Sequence, residues 1–485
     1  MGIPTVFPTG TTIYDPEKAW SGYTLMPIKK VGAVLIDMNG NVVKVWKDLQ
    51  GFPNKLLPGG YCMGSLGIRH SDFSYQDQTD LAQVDWDGKL IWKFDHKEYI
   101  EDEGQTPMWM ARQHHDYQRE GNPVGYYVPG MECKTDSGNT LILCHETLYN
   151  KRISDKRLLD DCFIEVDWEG NIVWKWNINE HFNELGFSEV AKNALFRNPN
   201  QHFVNDGELA DWMHINSMSL LGPNKWYDAG DERFHPDNII WDAREANILG
   251  ITDRKTGKIV WKIGPDFTTS KELRLMGQII GQHHVHMIPR GLPGEGNILI
   301  FDNGGWAGYG SPDRMSKDGT KVDIRDYSRV LEIDPVTLKV VWSFKASDIC
   351  EGMMALTQNT AFYSQLVSSA QRLPNGNTLI TEGSFARIFE VTPDKEVVWE
   401  YRAPFDNIAH PMVYRAYRYP YDYVPQLEKP TEVPVAKLDN TTFRVPGAAP
   451  GMIDNVTEVE GTLGYTSTMA ACVTAEEDPT EVEAE

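Results

Sequence analysis

Residues 161–176 read DCFIEVDWEGNIVWKW: an apolar strand, a tight turn at Glu169-Gly170, and a second strand that ends in tryptophan. Glycine supplies the positive φ that a short hairpin turn needs. The alternation in Ile172–Trp176 places one side of the second strand in a core. The segment therefore predicts a β-hairpin that carries Trp174 into an apolar interface.

The same pattern occurs six times along the chain. The hairpins occupy residues 32–46, 80–94, 161–176, 246–263, 328–344 and 385–401. Each contributes one tryptophan near its end: Trp46, Trp92, Trp174, Trp261, Trp342 and Trp399. An apolar strand precedes several of the hairpins, as in NTLIL at 139–143 and NILIF at 297–301, and a polar strand precedes that one. Such four-stranded units, repeated around an axis, are propeller blades.

The sequence thus predicts an all-β fold, a six-bladed β-propeller with four-stranded blades over residues 1–420. Irregular spacing of the tryptophans indicates long loops inserted between strands. Residues 421–485 form a separate, extended Pro/Glu-rich segment with 13 acidic and 3 basic residues. Its acidic end, EEDPTEVEAE, is too charged to fold alone, so we expect a disordered tail.

Composition excludes several classes of function. The 485-residue chain has a net charge of −23, whereas nucleic-acid binding needs a basic face. It has no apolar run long enough to span a membrane and no signal-peptide pattern in MGIPTVFPTG. Six scattered cysteines are typical of reduced core thiols. We therefore expect a cytoplasmic protein with a small-molecule substrate; nothing in the sequence indicates the oligomeric state.

The candidate site rests on histidines, of which the chain has only 13. They concentrate in QHHD at 113–116, DWMHINS at 211–217 and QHHVH at 282–286, each at the start of a predicted inner strand. Inner strands of different blades converge on one axis, so we expect a shared site at one mouth of the channel. Its predicted members are His115, His214, Asn216, His283 and His286.

Other polar residues join this prediction. Arg329 opens the apolar strand of the fifth blade and offers a planar cation for sulfate, phosphate or carboxylate, or else a surface ion pair. Asn303 lies in the preceding Gly-rich loop. Tyr363 is a candidate general acid, and Ser369 supplies a hydroxyl on the sixth inner strand. We interpret His145 as structural and assign Lys55 to the inner strand of the first blade.

Taken together, HHDYQ, DWMHINS, GQHHVHMIP, SRVLEID and SAQRLPNGNTLITEG resemble the bacterial arylsulfotransferase family over residues 30–420. The resemblance implies a six-bladed propeller that transfers a sulfuryl group from an aryl sulfate to a phenol, without a nucleotide donor or other cofactor. It also implies a transiently sulfated channel histidine. His214 and His283 match the histidines that bind the sulfuryl group, and Arg329 matches the arginine of the family.

Two alternatives remain open from the sequence. A metal-dependent hydrolase or lyase would hold a divalent ion with His115, His214, His283 and His286, since three imidazoles with one open position suit catalytic zinc. It is favoured by the extra imidazoles and by the absence of histidine between His286 and His410. A non-catalytic propeller scaffold is the second alternative. For either enzyme we expect an aromatic or anionic substrate.

Overall fold

A computed structural model describes residues 9–204, 207–349, 359–405 and 412–437. Six sheets are arranged as blades around a central axis, and inner strands of neighbouring blades contact one another. The strands pair antiparallel except where residues 158–159 of the third sheet pair in parallel with residues 210–211. The predicted six-bladed propeller with four-stranded blades is confirmed.

The first three blades have the following strands, in order from the innermost outward. Blade 1 contains Tyr417–Tyr419, Tyr23–Ile28, Gly32–Ile36 and Val42–Lys47. Blade 2 contains Gln50–Leu57, Tyr61–Ser65, Leu81–Val84 and Leu90–Phe94. Blade 3 contains Gln113–Arg119, Thr140–Tyr149, Arg157–Val166 and Ile172–Asn177, and the hairpin Gln201–Val204 and Gly207–Asp211 extends it.

The remaining blades follow the same order. Blade 4 contains Ile215–Leu220, Ile239–Ala243, Ile248–Thr252 and Ile259–Ile263. Blade 5 contains His283–Met287, Ile298–Asp302, Arg329–Ile333 and Val340–Lys345. Blade 6 contains Ser369–Arg372, Thr378–Glu382, Arg387–Val391 and Val397–Arg402, with Gly10–Tyr14 added outside.

The inserted loops carry shorter elements. Two small hairpins pair Glu98–Ile100 with Met108–Met110 and Ala307–Tyr309 with Thr320–Asp323. The α-helices are Glu189–Arg197, Lys225–Asp228 and Lys271–Met276. Turns of 3₁₀-helix occupy Ile178–Glu184, Glu232–Phe234, Ala346–Asp348, Asn359–Ala361, Gly383–Phe385 and Tyr421–Tyr423.

Both ends of the described chain close the ring. Tyr417–Tyr419, near the C-terminal end, is the innermost strand of blade 1 and pairs with Tyr23–Leu25. The N-terminal strand Gly10–Tyr14 pairs with the outer strand of blade 6. Lys55, which we expected on the first blade, therefore lies on the inner strand of blade 2. That assignment was wrong because the inner strand of blade 1 comes from the far end of the chain.

The repeated tryptophans join neighbouring blades. Each indole Nε1–H donates a hydrogen bond to a backbone carbonyl in the hairpin turn of the next blade. The pairs are Trp46 to Asp85, Trp92 to Trp168, Trp174 to Arg254, Trp261 to Pro335, Trp342 to Pro393 and Trp399 to Met38. Because the last bond returns to blade 1, six equivalent contacts complete the ring. The tryptophans are architectural, as their spacing predicted.

The compact unit that contains the propeller extends to Lys437. Beyond the last blade strand, Val435 exchanges backbone hydrogen bonds of 2.8 and 2.9 Å with Tyr14. The predicted disordered end of the acidic segment lies outside the described residues. Within them, none of the helices has the length and apolar character needed to cross a membrane.

Candidate functional site

The inner strands of blades 3, 4 and 5 bring the histidines together, as predicted. The ring of His115 lies 4.7 Å from that of His214, centroid to centroid. His115, His214 and His284 each have a φ of 51–54°, a left-handed conformation that is uncommon outside glycine. Each lies at or beside a bulge in its strand. Bulges re-aim side chains, which is consistent with the approach of His115 to His214.

His214 forms a short hydrogen bond from Nδ1 to the buried carboxylate of Asp211. Burial alone would raise the pKa of Asp211, but the neighbouring His214 holds it well below the usual range. Asp211 is therefore ionised and accepts, so Nδ1 of His214 carries the proton and Nε2 faces away from the carboxylate. A carboxylate in this position orients an imidazole and stabilises its protonated form.

His283 has a fixed tautomer. The backbone N–H of Val367 donates to its Nε2 at 3.2 Å, so the proton of the ring lies on Nδ1, which donates to Asn303 Oδ1 at 2.7 Å. Asn303 is oriented in turn by its own amide donation to the carbonyls of Ser364 and Val367. Burial lowers the pKa of His283 well below its ordinary value, and the charge of Arg244 lowers it further. His283 is therefore neutral at physiological pH.

Two buried cations share one carboxylate near these histidines. Asp116 accepts from Lys55 Nζ at 2.6 Å and from Arg415 at 2.7 Å. Arg415 is fully buried and also donates to the carbonyl of Asn216 and to the Tyr414 hydroxyl. Sequence reasoning missed Arg415 because it precedes the closing strand, which was not recognised. The absence of a polar strand before the first hairpin was the available signal.

Arg244 is a second cation that sequence reasoning did not select. Its backbone N–H donates to the carbonyl of His214 at 3.1 Å, and its side chain pairs with Glu245. Its charge acts on His283, as described above. Tyr75 stacks on His202 at 3.9 Å and lies 6.0 Å from His214. The guanidinium of Arg244 therefore acts on His283, while its backbone is bonded to His214.

Arg329 is held elsewhere. Its guanidinium pairs with Asp302 at 2.6 Å and donates to the carbonyls of Met276, Gly277 and Gln278. These bonds anchor the end of a helix and the loop after it, so the predicted anion clamp has no support from this geometry. Its role as a clamp stays a prediction.

Two other predicted residues are not brought to the histidines by any contact among the described residues. The hydroxyl of Ser369 donates to Thr381 Oγ1 within blade 6 at 3.1 Å. Tyr363 is half-buried, and burial raises the pKa of its phenol. Its backbone N–H donates to Glu382. Both assignments stay predictions.

The other histidines of blade 5 contact tyrosines. His286 donates from Nδ1 to the carbonyl of His284 and accepts at Nε2 from the Tyr126 hydroxyl at 2.8 Å. His284 Nε2 lies 3.1 Å from the Tyr417 hydroxyl. Among the described residues, His115, His214, His283 and His286 do not form a group with the spacing of a metal site. The metal set that the sequence suggested stays a prediction.

A different group has the spacing of a metal site. Nitrogens of His114 and His145 and an oxygen of Asp161, all buried, lie within 4.8 Å of one another. His145 was interpreted from sequence as structural, and neither His114 nor Asp161 was selected. Nothing in the spacing of residues 114, 145 and 161 indicates a shared site, because only the pairing of three blade strands brings them together.

The structure is a six-bladed β-propeller in which several histidines at the starts of the inner strands are buried close to one another. A family model described as Arylsulfotransferase (ASST) matches residues 72–415. The chain belongs to this arylsulfotransferase family, a family of transferases.

No curated protein sequence matches the chain. Similar solved structures include a protein of unknown function from Bacteroides caccae, with 11% identity, coverage of 82% of this chain and 98% of that chain, and a TM-score of 0.42. Virginiamycin B lyase from Staphylococcus aureus has 10% identity, coverage of 82% and 86%, and a TM-score of 0.33. Apo AztD from Citrobacter koseri has 8% identity, coverage of 82% and 97%, and a TM-score of 0.33. Similarities this low carry no argument about activity.

Proposed function

We propose that the chain transfers a sulfuryl group from an aryl sulfate to a phenolic acceptor through a covalent intermediate on His283, without a nucleotide donor. The observation that carries the proposal is the contrast between two neighbouring imidazoles. His283 is neutral with its lone pair fixed on Nε2, whereas His214 is paired with the ionised Asp211. When two neighbouring titratable groups have surroundings that differ in this way, one is suited to act as the nucleophile and the other to carry a proton.

His283 suits the role of nucleophile. A neutral imidazole attacks with an unprotonated nitrogen, and its low pKa keeps that nitrogen available. Asn303 fixes the ring from behind by accepting from Nδ1, and it carries no charge, unlike the carboxylate behind His214. The Val367 N–H that faces Nε2 would be released when sulfur approaches, and it could then donate to a sulfuryl oxygen.

His214 suits the role of proton carrier. In the first half-reaction the Nε2 lone pair of His283 attacks sulfur, the S–O bond to the aryl group breaks, and protonated His214 gives its proton to the departing phenolate. In the second, the acceptor phenol gives its proton to neutral His214 while its oxygen attacks sulfur and the N–S bond breaks. Both histidines return to their starting states, and Asp211 stabilises the imidazolium between turnovers.

Positive charge for the sulfuryl oxygens is supplied by Arg244 in this proposal. Its charge already acts on His283, and its backbone is bonded to His214. The buried Arg415, which donates to the carbonyl of Asn216, adds a second permanent charge. A fixed cation in a water-poor site stabilises a transferring anionic group more strongly than in water.

The test is release of 4-nitrophenol from 4-nitrophenyl sulfate with and without a phenol acceptor. We expect acceptor-dependent release by the wild-type protein, a loss of at least about a thousandfold in His283→Gln, and a loss of about 10²–10⁴-fold in His214→Gln. His96→Gln, at an exposed histidine, is the matched control.

Mass spectrometry of the donor-treated protein should find the sulfuryl adduct on the peptide that contains His283. An adduct on another residue would overturn the choice of nucleophile while leaving the reaction intact. Absence of acceptor-dependent release across a panel of aryl sulfates would overturn the proposed reaction.

A further inference from the structure

We propose that the chain binds a divalent transition-metal ion of the zinc class between His114 Nε2, His145 Nε2 and Asp161 Oδ1. The three residues lie on three adjacent strands of blade 3, with His145 directly opposite Asp161 in the ladder. The proposal concerns residues that the sulfuryl-transfer mechanism does not use.

All three proposed ligand atoms are buried and lack a hydrogen-bond partner among the described residues. His114 and Asp161 are fully buried, and His145 is 1% exposed. Buried polar atoms are almost always paired, because leaving one unpaired is costly. Three unpaired atoms at one point therefore indicate a missing common partner, and a cation that accepts two nitrogens and one oxygen fits all three.

The distances suit a shared ion. His114 Nε2 lies 3.3 Å and His145 Nε2 lies 4.0 Å from Asp161 Oδ1. Two ligands at about 2.1 Å from a tetrahedral ion are about 3.4 Å apart. The two rings are stacked with centroids 3.5 Å apart and planes 15° apart. Metal binding requires the two rings to tilt, because the lone pair of an imidazole nitrogen lies in the plane of its ring. The free energy lost with the stack is far smaller than the free energy of binding a structural zinc ion.

The second polar atom of each proposed ligand side chain already has a hydrogen-bond partner. The Asp77 carboxylate pairs with the Arg112 guanidinium at 2.7 Å. It accepts from His145 Nδ1 at 2.6 Å, which leaves Nε2 of His145 as a bare lone pair. Asp161 Oδ2 accepts from the backbone N–H of Ile215 at 3.1 Å. A carboxylate behind a ligating histidine is the usual outer support of a metal site.

The local charge also favours a cation. Besides Asp161, the carboxylates of Asp160 and Asp211 are fully buried in blade 3 and its extension, and that of Asp77, which accepts from His145, is fully buried as well. Two nitrogens and one oxygen favour zinc and its neighbours over calcium or magnesium, which prefer oxygen ligands.

One consequence rests on the proposed function. His114 Nδ1 lies 2.8 Å from His115 Nδ1, and only one of these atoms can carry the shared proton. A metal on His114 Nε2 places that proton on His114 Nδ1. His115 Nδ1 then accepts a hydrogen bond from the N–H of His114, so the proton of the His115 ring lies on Nε2. His115 would then be a hydrogen-bond donor towards the channel, suited to an anionic substrate.

The experiment is metal analysis of the full chain after gel filtration, both as purified and after refolding with zinc. We expect about one metal ion per chain in the wild type and in His96→Gln, and loss of the metal in His145→Gln and Asp161→Asn. In His214→Gln and His283→Gln the metal should be retained. With cobalt in place of zinc, the wild type should show the visible absorption of a low-symmetry nitrogen and oxygen site.

A wild-type chain that holds no metal under either condition would overturn the proposal, and a proton shared by Asp161 and the two imidazoles would then explain the cluster. Retention of the metal in both His145→Gln and Asp161→Asn would also overturn it, by placing the ion elsewhere. Circular dichroism identifies any variant that has failed to fold, and the cobalt spectrum of the folded variant then decides. Since none of these measurements uses sulfuryl transfer, failure of the proposed activity would be seen separately.

Discussion

Replacing Asp116 by asparagine should be among the most damaging isosteric changes in the channel. The carboxylate lies 2.6 Å from Lys55 and 2.7 Å from Arg415, and all three side chains are buried. Asp116→Asn leaves two buried cations without their shared counter-charge. Breaking a buried pair by removing one partner costs about 3–5 kcal/mol, so we expect a loss of this size in the free energy of unfolding near neutral pH.

Lys55 can relieve part of this cost. Burial lowers its pKa, and Asp116 opposes that effect, so removal of Asp116 should lower the pKa further. Between the lowered pKa of Lys55 in the native state and its ordinary pKa in the unfolded chain, the unfolded chain binds more protons than the native one. The free energy of unfolding therefore rises with pH in this range. The loss in free energy of unfolding caused by Asp116→Asn should therefore be smaller at pH 9 than at pH 7.

Denaturant unfolding followed by tryptophan fluorescence measures both effects. The double variant Lys55→Met/Asp116→Asn should recover about 1–3 kcal/mol relative to Asp116→Asn, since one unpaired cation is gone. The reasoning is refuted if Asp116→Asn unfolds at the wild-type midpoint, or if the deficit is independent of pH and of Lys55→Met.

Three other substitutions, together with one control, test buried contacts within the propeller. Asn303→Leu removes the acceptor that fixes the His283 tautomer, and should lower kcat about 10–100-fold with little change in KM, as read from steady-state kinetics. Arg418→Met leaves the buried Glu390 unpaired and should cost about 3–5 kcal/mol in chemical unfolding, whereas Arg290→Met at an exposed pair should cost less than about 1 kcal/mol. Burial raises the pKa of Asp242 from 3.8 to about 7, so the native state binds its proton more tightly than the unfolded chain and loses stability as pH rises between these values. Asp242→Asn should flatten the measured dependence of unfolding free energy on pH in that window.

The repeating parts of the fold could be predicted from sequence because each blade repeats a local signal. A hairpin that ends in tryptophan is readable within about 17 residues, and its indole always meets the turn of the next blade. The closing strand Tyr417–Tyr419 has no such signal, since its partner Tyr23–Ile28 lies at the other end of the chain. The inner strand of blade 1 was missed for that reason.

Part of the candidate site could also be predicted from sequence and part of it could not. The grouping of histidines followed from their position at the start of inner strands, and His115 and His214 do meet. The buried Arg415 could not be found from sequence, since it comes from the segment just before the closing strand; Arg329, which the sequence selected, pairs with Asp302, and its role stays a prediction. Hydrogen-bond partners such as Asp211 and Val367 depend on side-chain direction and loop path, which periodicity does not specify.

Closure of the ring by Tyr417–Tyr419 has a consequence for synthesis of the protein on the ribosome. The strand Tyr23–Ile28 emerges early, but its inner neighbour follows only after about 400 more residues. Contacts between residues so far apart in sequence are the slowest to form, because the loop that they close is long. Tyr414 and Arg415 arrive with the same segment, just before the closing strand. A nascent chain therefore has no complete inner ring of strands until residues 414–419 have been made, and Arg415 can pair with Asp116 only from that point on.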